Sequence, residues 1–211
     1  MSNHNNNRLM AALNAVEREP QNPSAHLNLG LLYFLMGRLD EAIYALERAV
    51  ELDPNKTNPY NLLGAVYFQK LEAEAGIAAF QKALELSPKD DVIMSNLGNL
   101  YRHLGRIKEA TEAFNDTLRL NPRNASAYLG LAALEVFSGQ RKDFDTYITQ
   151  ARECLRSDAY YDHALLAALT KNLDASFEHL SKLPPPPLPS LPPSPPFSSL
   201  HPPPRYQSLM S

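Results

Sequence analysis

The 211-residue sequence contains one cysteine and no tryptophan. Because Cys154 is alone, it cannot form an intrachain disulfide, and it cannot supply the several thiolates of a metal cluster. Its place on an apolar helix stripe instead predicts a buried core residue. We therefore expect no disulfide framework and no thiolate metal site.

The sequence also lacks a charge excess and a long apolar run. Lys and Arg together number 20, against 23 for Asp and Glu, which argues against a nucleic-acid-binding surface. No stretch approaches the roughly 18 apolar residues that cross a bilayer. Residues 1–8 are rich in asparagine rather than forming a basic segment followed by an apolar one. We therefore expect a cytoplasmic protein with no membrane span and no nucleic-acid partner.

Catalytic motifs are missing as well. The sequence has no glycine-rich phosphate loop, no paired-cysteine motif, no His-Glu metal helix and no nucleophile elbow. Its six histidines are spaced in ways that suit no metal site. These absences predict a protein that is not an enzyme and that uses neither a metal nor a cofactor.

What the sequence does contain is a repeat with a period of 34 residues. A leucine followed by a small residue recurs at Leu29-Gly30, Leu63-Gly64, Leu97-Gly98 and Leu131-Ala132. The other recurring positions hold an aromatic residue (Tyr33, Tyr67, Tyr101), a small residue (Ala42, Gly76, Ala110), a large apolar residue (Leu46, Phe80, Phe114) and a proline (Pro54, Pro88, Pro122). Within each unit, apolar residues recur at helical spacing in two blocks. The pattern predicts two antiparallel helices per unit, whose small residues allow a close crossing.

This order of positions resembles the tetratricopeptide repeat from Pro23 to about Asp158. A helical hairpin leaves one apolar face that only the next hairpin covers. The resemblance therefore implies an all-α fold, a right-handed α-α superhelix or solenoid of stacked hairpins. It also implies a non-catalytic scaffold or adaptor, such as an assembly factor, that binds a protein or peptide segment in its concave groove.

The period divides the chain into seven segments. The first is an N-terminal tail and capping helix in residues 1–22, with an apolar stripe of Leu9, Leu13 and Val16. Four repeats are expected at 23–56, 57–90, 91–124 and 125–156, the last of them degenerate, followed by a shortened pair and cap at 157–183 and a disordered proline-rich tail at 184–211. In the shortened pair, we expect helices from Tyr160 to Thr170 and from Leu173 to Leu183.

Two units depart from the pattern. Gly37 and Gly105 are expected to end the first helices of their units with a positive φ. Leu71 occupies this position in the second unit, which predicts a turn of different shape. In the fourth unit, Glu135 and Phe144 replace an aromatic and a small residue. This replacement predicts a splayed or shifted helix pair and leaves the register beyond about residue 140 open.

By the same resemblance, six positions of each first helix face the groove. Those that we expect to bind a peptide are Leu27, Asn28, Leu31, Phe34, Leu35, Asn61, Phe68, Asn96, Asn99, Arg102 and His103. Their leucine and phenylalanine side chains would form an apolar patch, and their asparagine amides both donate to and accept from a peptide backbone. Arg102 and His103 add positive potential. The groove therefore suits a segment that is apolar at one end and polar or acidic at the other.

Other interpretations of these residues stay open. Phe34 and Leu35 could pack against the N-terminal helix or against a second copy of the protein, which would then be a homo-oligomer. His103 could be a solvated side chain, and the asparagines could be ordinary surface or cap residues. In the fourth unit, the same groove positions fall on Ser126, Leu129, Gly130, Ala133, Val136 and Phe137.

One binding mode of the family is disfavoured. The clamp that grips the terminal carboxylate of heat-shock chaperones requires basic residues at three groove positions. In this sequence those positions hold Leu27, Val92 and Asn96 or, one unit later, Asn61, Ser126 and Gly130. We therefore do not expect binding of chaperone tails.

The tail offers a different class of function, in which this protein is the ligand. Residues 184–211 hold 12 of the 18 prolines in the chain, so this segment is expected to sample the polyproline II conformation. One run of this sequence resembles the ligands of aromatic grooves that recognise this conformation. It consists of Leu183, Pro184, Pro185, Pro186, Pro187, Leu188 and Pro189. A translated pyrimidine-rich tract would give the same composition, so this interpretation also stays open.

Overall fold

The structure is a computed structural model that describes residues 2–139, 141–155 and 160–170. Within these residues, the chain forms ten α-helices and no β-strand. The helices are α1 (Ser2–Arg18), α2 (Pro23–Leu35), α3 (Leu39–Leu52), α4 (Thr57–Gln69), α5 (Ala73–Leu86), α6 (Asp91–His103), α7 (Ile107–Leu120), α8 (Ala125–Ser138), α9 (Phe144–Cys154) and α10 (Tyr160–Leu169). None of the helices in this described part is long and apolar enough to cross a membrane. The fold class is the predicted all-α solenoid.

The helices pack in consecutive pairs. Each of α2, α4, α6 and α8 packs against the helix that follows it, and each second helix contacts the first helix of the next pair. The first helices begin at Pro23, Thr57, Asp91 and Ala125, so the period of 34 residues is present in the structure. They also contact one another in order, from α2 to α8 and then to α10. In a curved stack of hairpins, this arrangement places the first helices in the inner, concave layer.

The close crossing within each of the first three pairs depends on a missing side chain. A Cβ atom added to Gly64 would lie 2.6 Å from Cδ1 of Phe80, and one added to Gly98 would lie 2.8 Å from Cε1 of Phe114. The large residue of the second helix therefore fills the space that glycine leaves, as the sequence pattern predicts. Phe80 and Phe114 are fully buried as a result.

Helix α1 covers the open end of the first pair. Its Leu9 and Ala12 are buried in one cluster with Leu29 and Tyr33, and Leu13 packs against the same cluster. Burial also raises the pKa of the Tyr33 hydroxyl. Helix α1 lies within the segment for which the sequence predicts a capping helix, and it ends at Arg18.

The prediction of a different turn in the second unit is wrong. Leu71 has a φ of 63°, close to the 68° of Gly37 and the 71° of Gly105. The amide of Glu72 donates to the carbonyl of Tyr67 at 2.9 Å, as Arg38 donates to Tyr33 at 2.9 Å in the first unit. Packing of the two helices thus imposes one turn geometry on both units, although leucine disfavours it.

The predicted shift in the fourth unit is present as a late start of its second helix. Helix α9 begins at Phe144, three residues after the place at which α3, α5 and α7 begin in their units, but it ends in register at Cys154. Cys154 is half-buried, so the prediction of a buried core cysteine is wrong. The reason is that it lies in the last turn of α9, beyond the buried Ala151.

Beyond α9, the structure describes the first helix of the predicted shortened pair. This helix is α10, and it packs against α8. The predicted second helix from Leu173 to Leu183 and the tail at 184–211 lie outside the described residues.

Candidate peptide-binding groove

The inner face is assembled from side chains that meet across neighbouring first helices. Asn96 of α6 donates from Nδ2 to Oδ1 of Asn61 of α4 at 3.3 Å. The ring of His103 lies edge-on to the ring of Phe68, with 5.2 Å between centroids. These contacts bring four of the predicted peptide-binding residues together on α4 and α6.

The apolar end of this face is formed mainly by α2. Leu31 is 38% exposed and Leu35 is 45% exposed. Leu27 and Phe34 are half-buried and pack against the core cluster that α1 joins, and Phe68 packs against the next cluster. The accessible apolar patch therefore consists chiefly of the two leucines, while both phenylalanines also serve the core.

Four asparagines form the polar part of the face. Asn28 is exposed and makes no side-chain hydrogen bond to the described residues, whereas Asn61, Asn96 and Asn99 are half-buried. Asn99 donates from Nδ2 to Oγ of Ser126 at 3.4 Å. An amide group offers two N–H donors and an acceptor oxygen with two lone pairs. The bonds among these residues therefore leave capacity for the backbone of a bound segment.

Arg102 lies next to this amide row. Its Nη2 donates to Oδ1 of Asn99 at 3.4 Å. Its Nε is buried and has no acceptor within the described part of the chain. His103 is exposed beside it. The two residues that the sequence predicts to add positive potential thus lie on the last turn of α6.

Two of the groove positions of the fourth unit do not line the groove. Leu129 is fully buried in a cluster with α9 and α10. Gly130 is also buried, and a Cβ atom added to it would lie 2.3 Å from Cζ of Phe114. The prediction for these two residues is wrong because α9 and α10 cover Leu129, and a ring from the preceding unit occupies the space next to Gly130. Phe137, by contrast, is 74% exposed.

Sequence reasoning missed the role of Glu135. Its two carboxylate oxygens accept from the backbone N–H of Asp143, at 3.2 Å and 3.0 Å. Asp143 precedes the first residue of α9, so Glu135 supplies the cap of that helix from α8. The signal in the sequence is an acid in place of the usual tyrosine. The candidate tail ligand, from Leu183 to Pro189, lies outside the described residues.

Three models of protein families match the sequence that forms these helices. A model described as TPR repeat matches residues 30–70, and two described as tetratricopeptide repeat match residues 57–123 and 11–44. The chain belongs to the tetratricopeptide repeat family. Among curated proteins, no sequence matches this chain.

Several solved structures resemble this tetratricopeptide repeat protein. MamA is 28% identical, with a TM-score of 0.63 over 69% of this chain and 85% of its own. YrrB is 22% identical, with a TM-score of 0.58 over 82% of this chain and 90% of its own. PilF of Pseudomonas aeruginosa is 19% identical, with a TM-score of 0.66 over 86% and 84%. The last two likenesses concern the fold alone. Together with the family, the fold supports a protein–protein interaction scaffold.

Proposed function

We propose that this protein is a non-catalytic adaptor or assembly factor that holds an extended segment of a partner protein against its concave face. The observation that carries the proposal is the position of Leu31 and Leu35, which are exposed on the same inner layer as the amide row. Exposed apolar side chains that adjoin polar groups are typical of a partner surface. The cytosol is the proposed site of action, and cell fractionation would test it.

An extended segment fits the inner layer better than a helical one. A helix satisfies its own backbone groups, whereas an extended chain presents its N–H and C=O groups to side-chain amides. Packed helices lie about 8–10 Å apart, which an extended chain of the polyproline II type covers in about three residues at roughly 3.1 Å per residue. Because this conformation has three residues per turn, every third side chain of the segment would point towards the next first helix. The solved YrrB is described as carrying an unusual peptide-binding site, which is a property of that protein.

The proposal is tested by substituting the exposed leucines. Phe34 and Phe68 are unsuitable because both pack against core clusters, so a charge there would unfold the protein. In the double variant Leu31→Glu and Leu35→Glu, we expect loss of the proteins that the unmodified chain captures in affinity purification with mass spectrometry. Leu120→Glu is the matched control, because Leu120 is 41% exposed at the end of the outer helix α7. Capture of the same proteins by the double variant, with an unchanged circular dichroism spectrum, would contradict the proposal.

A second copy of the chain is the alternative occupant. It is favoured by the exposure of Met10 and Leu35 towards the N-terminal end of the stack. Light scattering at several concentrations would reveal self-association, and the same double variant should abolish it.

For recognition through the tail, the test is deletion of Pro184 to Ser211. If the remaining body still captures its partner, the tail is not needed for binding.

A further inference from the structure

Two buried side-chain atoms in the described part of the chain lack a hydrogen-bond partner, and both belong to α6. They are Oγ of Ser95 and Nε of Arg102. Ser95, Asn99 and Arg102 follow one another at spacings of four and three residues, so they share one face of the helix. The bond from Asn99 to Ser126 shows that this face is turned towards α8. A buried guanidinium N–H without an acceptor is costly, since its hydration is lost and not replaced.

Arg102 is the one arginine on the inner helices α2, α4, α6 and α8, and it differs from four arginines elsewhere in the fold that form ion pairs. Three of them, Arg38, Arg48 and Arg106, form an ion pair with the acidic residue three positions later, and Arg119 pairs with Asp116, three positions earlier. The residue three positions after Arg102 is Gly105, and no described carboxylate forms an ion pair with Arg102. No described carboxylate therefore neutralises its charge, and its Nη atoms, rather than the buried Nε, are left for an acceptor that comes from another molecule.

Acidic groups of the inner layer do not compete for this guanidinium. Helices α2, α4, α6 and α8 lie wholly in the described part of the chain and contain two acidic residues, Asp91 and Glu135. Asp91 accepts hydrogen bonds from the side chains of Asn121 and Asn124. Glu135 accepts from the backbone of Asp143. These four helices thus offer cationic and neutral groups to a ligand.

We propose that Arg102 anchors a carboxylate side chain of the bound segment, an inference that rests on the proposed function. Through its two Nη atoms, a guanidinium binds the two oxygens of a carboxylate in a bidentate pair. Phe68 lies at the corresponding position of α4, one helix spacing away. With about three residues of polyproline II conformation per helix spacing, the partner carries an aspartate or glutamate three residues from an apolar residue.

A selection from a displayed library tests this anchor without knowledge of the partner. The probe is a random peptide held between constant flanks, so that carboxylates come only from side chains. It is selected on the full chain, on Arg102→Gln and on Arg119→Gln, a control that removes an exposed arginine of the outer helix α7. We expect enrichment of an acid three residues from an apolar residue with the full chain and with the control. With Arg102→Gln, this preference should disappear.

A selected peptide then gives the size of the effect by fluorescence anisotropy. Exchange of its acid for the amide should weaken binding to the full chain about tenfold, as expected for a charged hydrogen-bonded pair. With Arg102→Gln, the same exchange should change the affinity by less than about twofold. Equal weakening in both proteins would overturn the anchor.

The remaining outcomes separate the anchor from the proposed function. Selected peptides with apolar residues but no acid preference would overturn the anchor and leave the groove proposal standing. Failure of the full chain to select any peptide would overturn both. The thermal midpoint of Arg102→Gln should be unchanged or higher, because a buried unpartnered donor is removed. A lower midpoint together with an unchanged peptide preference would assign Arg102 a structural role instead.

Discussion

At the residue scale, Leu71 shows that the stack can override the preference of a side chain. Its φ of 63° lies in the left-handed region, which costs an L-residue with a side chain roughly 1–2 kcal/mol. Its side chain is 74% exposed, so little packing offsets this cost. The turn hydrogen bonds and the two packed helices hold the backbone in place. Strain of this kind therefore marks a site at which a substitution can stabilise the protein.

Leu71→Gly should stabilise the protein by about 0.5–1 kcal/mol. The free energy gained by relieving the left-handed strain exceeds the free-energy cost of the conformational entropy that glycine adds to the unfolded chain. The measurement is the free energy of unfolding from urea titration. Gly105→Ala is the matched reverse change, because Gly105 has a φ of 71° and no atom within 4 Å of an added Cβ. It should destabilise by about 1 kcal/mol, through backbone strain alone. A loss of stability in Leu71→Gly would show that its exposed side chain matters more than its backbone.

At the element scale, the fourth pair shows how a degenerate unit is still held together. Phe144 is buried where the other units have a small residue, and α9 starts late. The N-terminal end of α9 then depends on the carboxylate of Glu135, since the side chain of Asp143 makes no cap hydrogen bond. A carboxylate at a helix N-terminus satisfies a free N–H and complements the helix dipole.

Glu135→Ala should loosen α9 without unfolding the preceding pairs. Loss of the cap should cost about 1 kcal/mol, and the cost should fall on the first turn of α9. Hydrogen exchange would show this as faster exchange of amides near Tyr147 and Ile148. Glu112→Ala is the control, because Glu112 is exposed on the outer helix α7. Unchanged protection of α9 would mean that its packing on α8, and not the cap, holds its start.

The sequence was sufficient to predict the elements but not all of their contacts. The crossing of the two helices could be predicted from Gly64 and Phe80, because both residues belong to one unit and their spacing recurs along the sequence. Burial of Gly130 was not predictable, because the ring that fills its space comes from Phe114 of the preceding unit. The unpartnered Nε of Arg102 was likewise invisible, since burial of one atom is a property of the assembled stack. The predicted groove residues therefore stay predictions about binding, although their positions on the first helices are known.

At the scale of the whole molecule, the contacts run almost entirely between neighbouring hairpins. Three core clusters follow one another along the chain, from the one that α1 joins to the one that includes α9 and α10 residues. In such a stack, stability is close to a sum of unit and neighbour terms. A defect at one end should therefore lower protection locally rather than throughout the molecule.

This expectation can be tested with a defect at each end. Leu9 is buried between α1 and the first pair, and Leu129 is buried in the last cluster. Each change to alanine should cost about 2–5 kcal/mol. In Leu9→Ala, amide exchange should accelerate in α1 to α3 and stay nearly unchanged in α8, whereas Leu129→Ala should show the reverse. Leu31 lies in the pair that Leu9 stabilises, whereas Arg102 lies two pairs further along the stack. The first variant should therefore weaken the contacts of a bound segment with Leu31 more than those with Arg102. Equal acceleration in every helix would mean that the stack unfolds as a single cooperative unit, and the neighbour description would then have to be abandoned.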